Sequence, residues 1–137
     1  MEITSKGTGV FQIRSKVATL LLSADKLVLP ERPELIIDGA GEYEVGGATT
    51  TVRKIGDSLC MRIVADGLSL LYLPKVPKNM ETIEQLSPVD ILLLGEYAQS
   101  IYELEAKVII PFSDEISTSL GKTANVSKKL SLTKEKL

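Results

Sequence analysis

No histidine occurs anywhere in the 137 residues. That removes the side chain most often used as a general base near neutral pH, and the imidazole that zinc sites favour. Tryptophan is missing too, and there are only two Phe and four Tyr. A core must therefore be aliphatic, built from Leu, Ile and Val, and little ring surface is left for stacking on nucleobases. The single cysteine, Cys60, cannot form an internal disulfide. Neither sign of charge dominates: 16 basic against 18 acidic residues give a net charge of −2. The basic footprint of a nucleic-acid-binding domain is thus absent. No apolar run approaches the length of a membrane span, and "MEITSKGTGVF" lacks the basic-then-apolar pattern of a secretory signal. These absences together lead to the expectation of a cytoplasmic protein with neither a membrane nor a nucleic acid as partner.

What is present suits one compact domain over 1–137, ending in a charged tail at about 128–137. The apolar fraction of 44% can build a core, and 25% charged residues is ordinary for a globular chain. The first half reads as strands. "GVFQIRS" and "VATLLLS" are β-type runs around a turn at Ser15-Lys16. "KLVLP" is a further short run, "ERPE" breaks the chain, and "LIID" at 35–38 is a short apolar strand.

The stretch "GEYEVGG" at 41–47 resembles a site, with two carboxylates flanking a tyrosine between glycines. Strand logic reads it otherwise. A turn at Gly46-Gly47 pairs Val45 with Ala48, Glu44 with Thr49, Tyr43 with Thr50 and Glu42 with Thr51. Alternation then puts Tyr43, Val45, Ala48, Thr50 and Val52 on one face, and Glu42, Glu44, Thr49, Thr51 and Arg53 on the other. One face is expected to be buried and the other wet. "SLCMRIVA-DG-LSLLYLP" repeats the pattern around Asp66-Gly67, but both of its faces are largely apolar. This second hairpin should be central in its sheet, covered on both sides.

The second half mixes helix and strand. A helix is expected over 77–86, with Asn79 as its cap, and a weaker one over 96–106. "PVDILLLG" and "KVIIP" read as buried strands. "SDEISTSLG" reads as a short helix capped by Ser113 or Asp114 and stopped by Gly121. "VSKKLSLTKEKL" suggests a last strand followed by the tail. Hairpins followed by strand–helix–strand–helix define a layered α/β domain. Three short helices do not cover every apolar face, so an uncovered patch including "LVLP" is expected.

The order of these pieces resembles a known family. "LIIDGAGEYEVGGATT" is similar to the "VIDGPGEYEVKGV" segment of the metallo-β-lactamase-fold, Zn-dependent hydrolase-like group. "DGLSLLYLP" resembles that group's "DGLRILHLGD", "LSPVDILLLG" its "LGPVDVLLLPVGG", and "AKVIIPFSD" its "PKIVIPMHY". The matches run in order over nearly the whole chain. The resemblance implies two sheets packed face to face with helices outside, and an active site in which one or two metals generate a hydroxide.

The departures from that pattern are specific. The family's "HxHxDH" loop should lie before "GEYEV", where this chain has only "ADKLVLPERPE". Lys75 stands where the family has an aspartate ligand, and Ser113 where it has a histidine. No ligand carries over, so no catalytic, cofactor-binding or metal residue is assigned, and no cofactor is expected.

Other candidates have plainer readings. Glu42 and Glu44 suit a solvated strand face better than a Mg²⁺ or Ca²⁺ site. Cys60 sits mid-strand and is read as inert packing. Ser15 with Lys16, and Ser113 with Lys107 or Lys75, are weak Ser/Lys dyads with nothing to mark a nucleophile.

The expectation is an α/β fold, a shortened metallo-β-lactamase-like β-sandwich with short outer helices. Its function is expected to be that of a metal-free, catalytically inactive binding or assembly module, a homodimer or higher homo-oligomer through the uncovered sheet face. The alternative is a residual hydrolase acting on phosphoesters or lactones through an acid cluster at Asp38, Glu42 or Asp114, or through Ser or Cys.

Overall fold

A computed structural model describes residues 1–120 and the main chain of 129–131. Within these residues the chain forms two six-stranded sheets. The first is wholly antiparallel and uses β1 (Glu2–Gly7), β2 (Val10–Arg14), β3 (Thr19–Ser23), β4 (Lys26–Leu29), β5 (Arg32–Ile37) and the last strand, β12 (Lys129–Ser131). Its spatial order is β12-β1-β2-β3-β4-β5. The second sheet holds β6 (Gly41–Val45), β7 (Ala48–Ile55), β8 (Ser58–Ala65), β9 (Leu68–Leu73), β10 (Ile91–Leu94) and β11 (Val108–Pro111). Its order is β11-β10-β9-β8-β7-β6; β6 to β9 pair antiparallel, while β9, β10 and β11 run parallel.

The hairpin at 41–55 takes the register read from its turn. Glu42 pairs with Thr51, Tyr43 with Thr50, Glu44 with Thr49 and Val45 with Ala48. Gly46 and Gly47 have φ of 59° and 86°, as a hairpin turn with right-handed twist requires. A Cβ on Gly46 would also lie 2.6 Å from Ala18 Cβ, so space as well as φ demands glycine there. In the second hairpin, Asp66 and Gly67 likewise have positive φ.

The faces explain the layering. Met61, Ile63, Ala65, Leu68, Leu70 and Tyr72 form one face of β8–β9. They pack into a core shared with Phe11, Ile13, Leu20, Leu22 and Leu27 of the first sheet. The opposite face presents Cys60, Leu71 and Leu73 to a second cluster. Helical residues cover it: Ile83 of α1 (Glu81–Glu84), Ile101 and Leu104 of a 3-10 helix (Gln99–Leu104), and half-buried Ile116 of α2 (Asp114–Ser119). The second hairpin is therefore central and covered on both sides. Each fully buried Leu or Ile in these layers contributes about 2 kcal/mol of apolar burial.

Several elements differ from the sequence reading. "ERPE" does not break the chain: β5 begins at Arg32, because at a sheet edge Pro33 lacks no ladder bond that the sheet needs. The helix expected over 77–86 contracts to Glu81–Glu84. Asn79 Oδ1 still accepts the Glu81 N–H at 3.0 Å, but Leu86 and Ser87 close tight turns onto Ile83 and Glu84 carbonyls ahead of Pro88. The weak helix at 96–106 is a 3-10 turn, ended by Glu105 at φ 51°. Ser113 takes the cap position of α2 without a side-chain cap bond. Gly121 and most of the charged tail lie outside the described residues.

Strand alternation divides the apolar run expected on the uncovered face. Leu27 and Leu29 of "LVLP" point into the core, as alternation along β4 demands, while Val28 faces outward and Pro30 is exposed. Val28 pairs with Leu21 on one side and Ile36 on the other, making a cross-strand row that belongs to neither core cluster.

Candidate functional site

Two places in the sandwich bring side chains together in a way that bears on function. The first is the C-terminal end of the parallel strands. Leu73 O accepts the Gly95 N–H and Leu94 O accepts the Phe112 N–H, each at 2.8 Å, so the exits of β9, β10 and β11 lie side by side. What they carry is a ring cluster. Phe112 sits 5.3 Å from Phe11 and 5.2 Å from Tyr72, centroid to centroid, and Phe11 meets Tyr72 edge-on at 6.4 Å. The Tyr72 hydroxyl donates to the Gly9 carbonyl across the sandwich. Burial, with a smaller contribution from the charge of Asp25, pushes the Tyr72 phenol well above its ordinary range, so it remains a neutral donor. The approach is close: a Cβ on Gly95 would stand 2.6 Å from Pro74 O and 2.8 Å from the Phe112 ring.

Polar groups around this end do not converge. Lys75 is exposed, Glu96 Oε1 accepts the Val76 N–H at 3.4 Å, and Asp114 faces solvent. Among the described residues there is no group of three or more His, Cys, Asp or Glu able to share a metal ion. The sequence supplies no imidazole. The donor set does not fit a catalytic zinc, which wants three protein ligands and an open position. The acid cluster that the residual-hydrolase alternative needs, at Asp38, Glu42 or Asp114, is likewise not assembled.

The nucleophile candidates are occupied elsewhere. Ser15 Oγ accepts the Val17 and Ala18 N–H groups and donates to Ala18 O, forming the turn before β3. Ser113 and Lys107 sit at opposite ends of β11, and Lys107 Nζ lies 3.7 Å from Asp90 Oδ1. Burial pushes the Cys60 thiol up to about 12, against a smaller opposing effect of the Arg53 charge, so no thiolate forms near neutral pH. Glu42 and Glu44 are exposed and Tyr43 half-buried, its hydroxyl donating to Gly39 O at 3.0 Å. No ion pair joins Glu42 to Arg53, whose Nη1 donates to Val52 O instead.

One polar knot was missed in the sequence. Asp90 Oδ2 accepts the Ser69 N–H at 2.9 Å, Ser69 Oγ accepts the Asp90 N–H at 3.0 Å, and the Ser69 hydroxyl donates to Pro88 O at 2.8 Å. It ties the start of β10 to β9 at the end of the strands remote from Phe112. The signal lay in an aspartate directly before the apolar run "ILLL".

The second place is a groove of about 630 Å³ between β5 and β6, the edge strands of the two sheets on the same side of the sandwich. Leu29, Leu35 and Val45 line it with Val17, and Glu31, Glu42 and Glu44 stand around it. Val17 is 60% and Leu35 42% exposed, two of the four exposed large apolar side chains among the described residues. The sequence reading did not find it, because its walls come from strands whose closeness only the folded sheets create.

Two face-to-face sheets, one antiparallel and one mixed, with helices over the outer face of the parallel half, define the metallo-β-lactamase type of sandwich in a shortened form. Among solved structures the chain is similar to a Thermotoga maritima protein of the metallo-β-lactamase superfamily, named as a candidate Zn-dependent hydrolase. The TM-score is 0.73 at 19% identity, over 98% of this chain and 93% of that one. At that identity the likeness establishes the fold. Neither a family model nor a curated protein matches the sequence.

Proposed function

We propose that this chain is a metal-free, catalytically inactive form of the metallo-β-lactamase fold that serves as a binding or assembly module. The observation that carries this reading is the makeup of the parallel-strand ends. Pro74, Gly95 and Phe112 pack together there, beside an exposed Lys75, in a chain with no histidine. Hydrolysis on this fold depends on donors that hold a cation and lower the pKa of its water. Lys75 would repel such a cation, and Phe112 offers it no lone pair. The composition supports a cytoplasmic setting. Self-association, as a homodimer or higher homo-oligomer, uses the outer face of the first sheet, where the row Leu21, Val28 and Ile36 lies outside both core clusters and Ile36 is 54% exposed.

Two experiments test the reading. Purified protein is assayed on chromogenic phosphoesters, lactones and thioesters, with and without added Zn²⁺ or Mn²⁺. The reading expects a flat panel; turnover that depends on metal and is lost on Lys75→Ala or Ser113→Ala would overturn it. Light scattering coupled to gel filtration reads the mass in solution, with Val28→Asp as the matched variant. An oligomer that Val28→Asp dissociates supports the face, while a monomer at high concentration counts against it.

A further inference from the structure

The groove between β5 and β6 has an open strand edge along one wall. Val45 and Ala48 flank a two-residue turn and form the hydrogen-bonded pair that closes it. The ladder then alternates, so Tyr43 with Thr50 is also a bonded pair, while Glu42 and Glu44 sit in the non-bonded positions. The main-chain N–H and C=O groups of Glu42 and Glu44 therefore point away from β7. Among the described residues no other strand pairs with β6 there. An extended segment laid along this edge would meet a ready row of donors and acceptors.

Side chains decide what that segment is. A strand added to β6 alternates between the inner face, over the groove lined by Val17, Leu35 and Val45, and the outer face beside Glu42 and Glu44. Apolar side chains suit the first and cations the second. Arg32 on the groove wall already lies 3.4 Å from Glu34, and among the described residues the glutamates of β6 form no ion pair. A second copy of the same edge fits poorly. The antiparallel two-fold registers centred on Glu42, Tyr43 or Glu44, which keep Tyr43 on the inner face, each set a glutamate opposite a glutamate: 42 against 42, 42 against 44, or 44 against 44.

From this free edge, apolar groove and unpaired acidic row, we infer that β6 docks an extended peptide segment of a partner protein in which lysine or arginine alternates with apolar residues. The inference deepens the reading of the chain as a binding module and rests on it.

The test uses full-length protein and a fluorescein-labelled, acetylated and amidated peptide of alternating lysine and valine, read by anisotropy. A glutamate–valine peptide is the comparison. The lysine peptide should bind about tenfold more tightly or better, since two facing pairs change sign. The double reversal Glu42→Lys/Glu44→Lys, at exposed positions, should invert the preference. Glu44→Pro, which removes an outward donor and no bond to β7, should weaken both peptides. Equal affinity for the two peptides, no measurable binding of the lysine peptide, or a preference unmoved by the double reversal would each overturn the inference. So would loss of peptide binding in step with self-association, which would assign the groove to a second copy. Turnover in the hydrolase panel would overturn the inactive reading and leave the anisotropy result standing, so the two failures are separable.

Discussion

Replacing Phe112 by alanine tests the claim that the parallel-strand ends are closed by packing. The ring is half-buried, stacked 5.2 Å from Tyr72 and tilted 5.3 Å from Phe11. Truncating a fully buried Phe costs about 3–5 kcal/mol. Half-burial brings that to about 2 kcal/mol, and two aromatic contacts add about 1 kcal/mol between them. The expected loss is therefore about 3 kcal/mol, read from urea denaturation by circular dichroism. With no tryptophan in the chain, tyrosine dominates the near-ultraviolet signal, and Tyr72 should report the lost neighbour directly. Phe112→Leu keeps apolar volume and should lose only about 1 kcal/mol. A loss from Phe112→Ala below about 0.5 kcal/mol, with the tyrosine signal unchanged, would refute the reasoning, because surface substitutions alone produce effects of that size.

The remaining predictions use other positions. Gly95→Ala places a Cβ 2.6 Å from Pro74 O and should cost about 3 kcal/mol or prevent folding. Gly39→Ala, with nothing within 4 Å of the added carbon, should be neutral by the same urea midpoint. Thr50 is fully buried and its hydroxyl has no partner among the described residues, so Thr50→Val should stabilise by about 1 kcal/mol in thermal or chemical unfolding. Cys60 has a folded pKa of about 12 against an ordinary 9.0, so below pH 9.0 its contribution to stability is complete. Above that the unfolded thiol ionises while the folded one does not, and stability falls by about 1.4 kcal/mol per pH unit toward pH 12. Urea midpoints across that window should show this slope in the wild type and lose it in Cys60→Ala until the raised Tyr72 phenol adds a loss of the same sign above 10.0.

Local rules read the hairpins well because their information is local. Gly46-Gly47 and Asp66-Gly67 set the registers, and period-two alternation then assigned Tyr43 and Val45 inward and Glu42 and Glu44 outward. The two apolar faces of β8–β9 similarly told of covers on both sides. Short helices were less legible. Four residues at Glu81–Glu84 hold few hydrogen bonds of their own, so tertiary packing of Ile83 and Leu86 sets their extent. Pro33 misled because its meaning depends on whether a strand lies at an edge, a property of the whole sheet. The strand-end site was half-read. Lys75 and Ser113 could be named from the sequence, but the ring of Phe112 joins residues from both sheets, as does the Tyr72 hydroxyl reaching Gly9 over a sequence separation of 63.

The central claim is that this sandwich lacks the donors to hold a catalytic metal. Elemental analysis of the purified protein, repeated after equilibration with Zn²⁺ and gel filtration, tests it most directly. The account predicts that zinc, iron and manganese stay far below one equivalent per chain in both samples. One equivalent of any of them, retained through gel filtration, would contradict it.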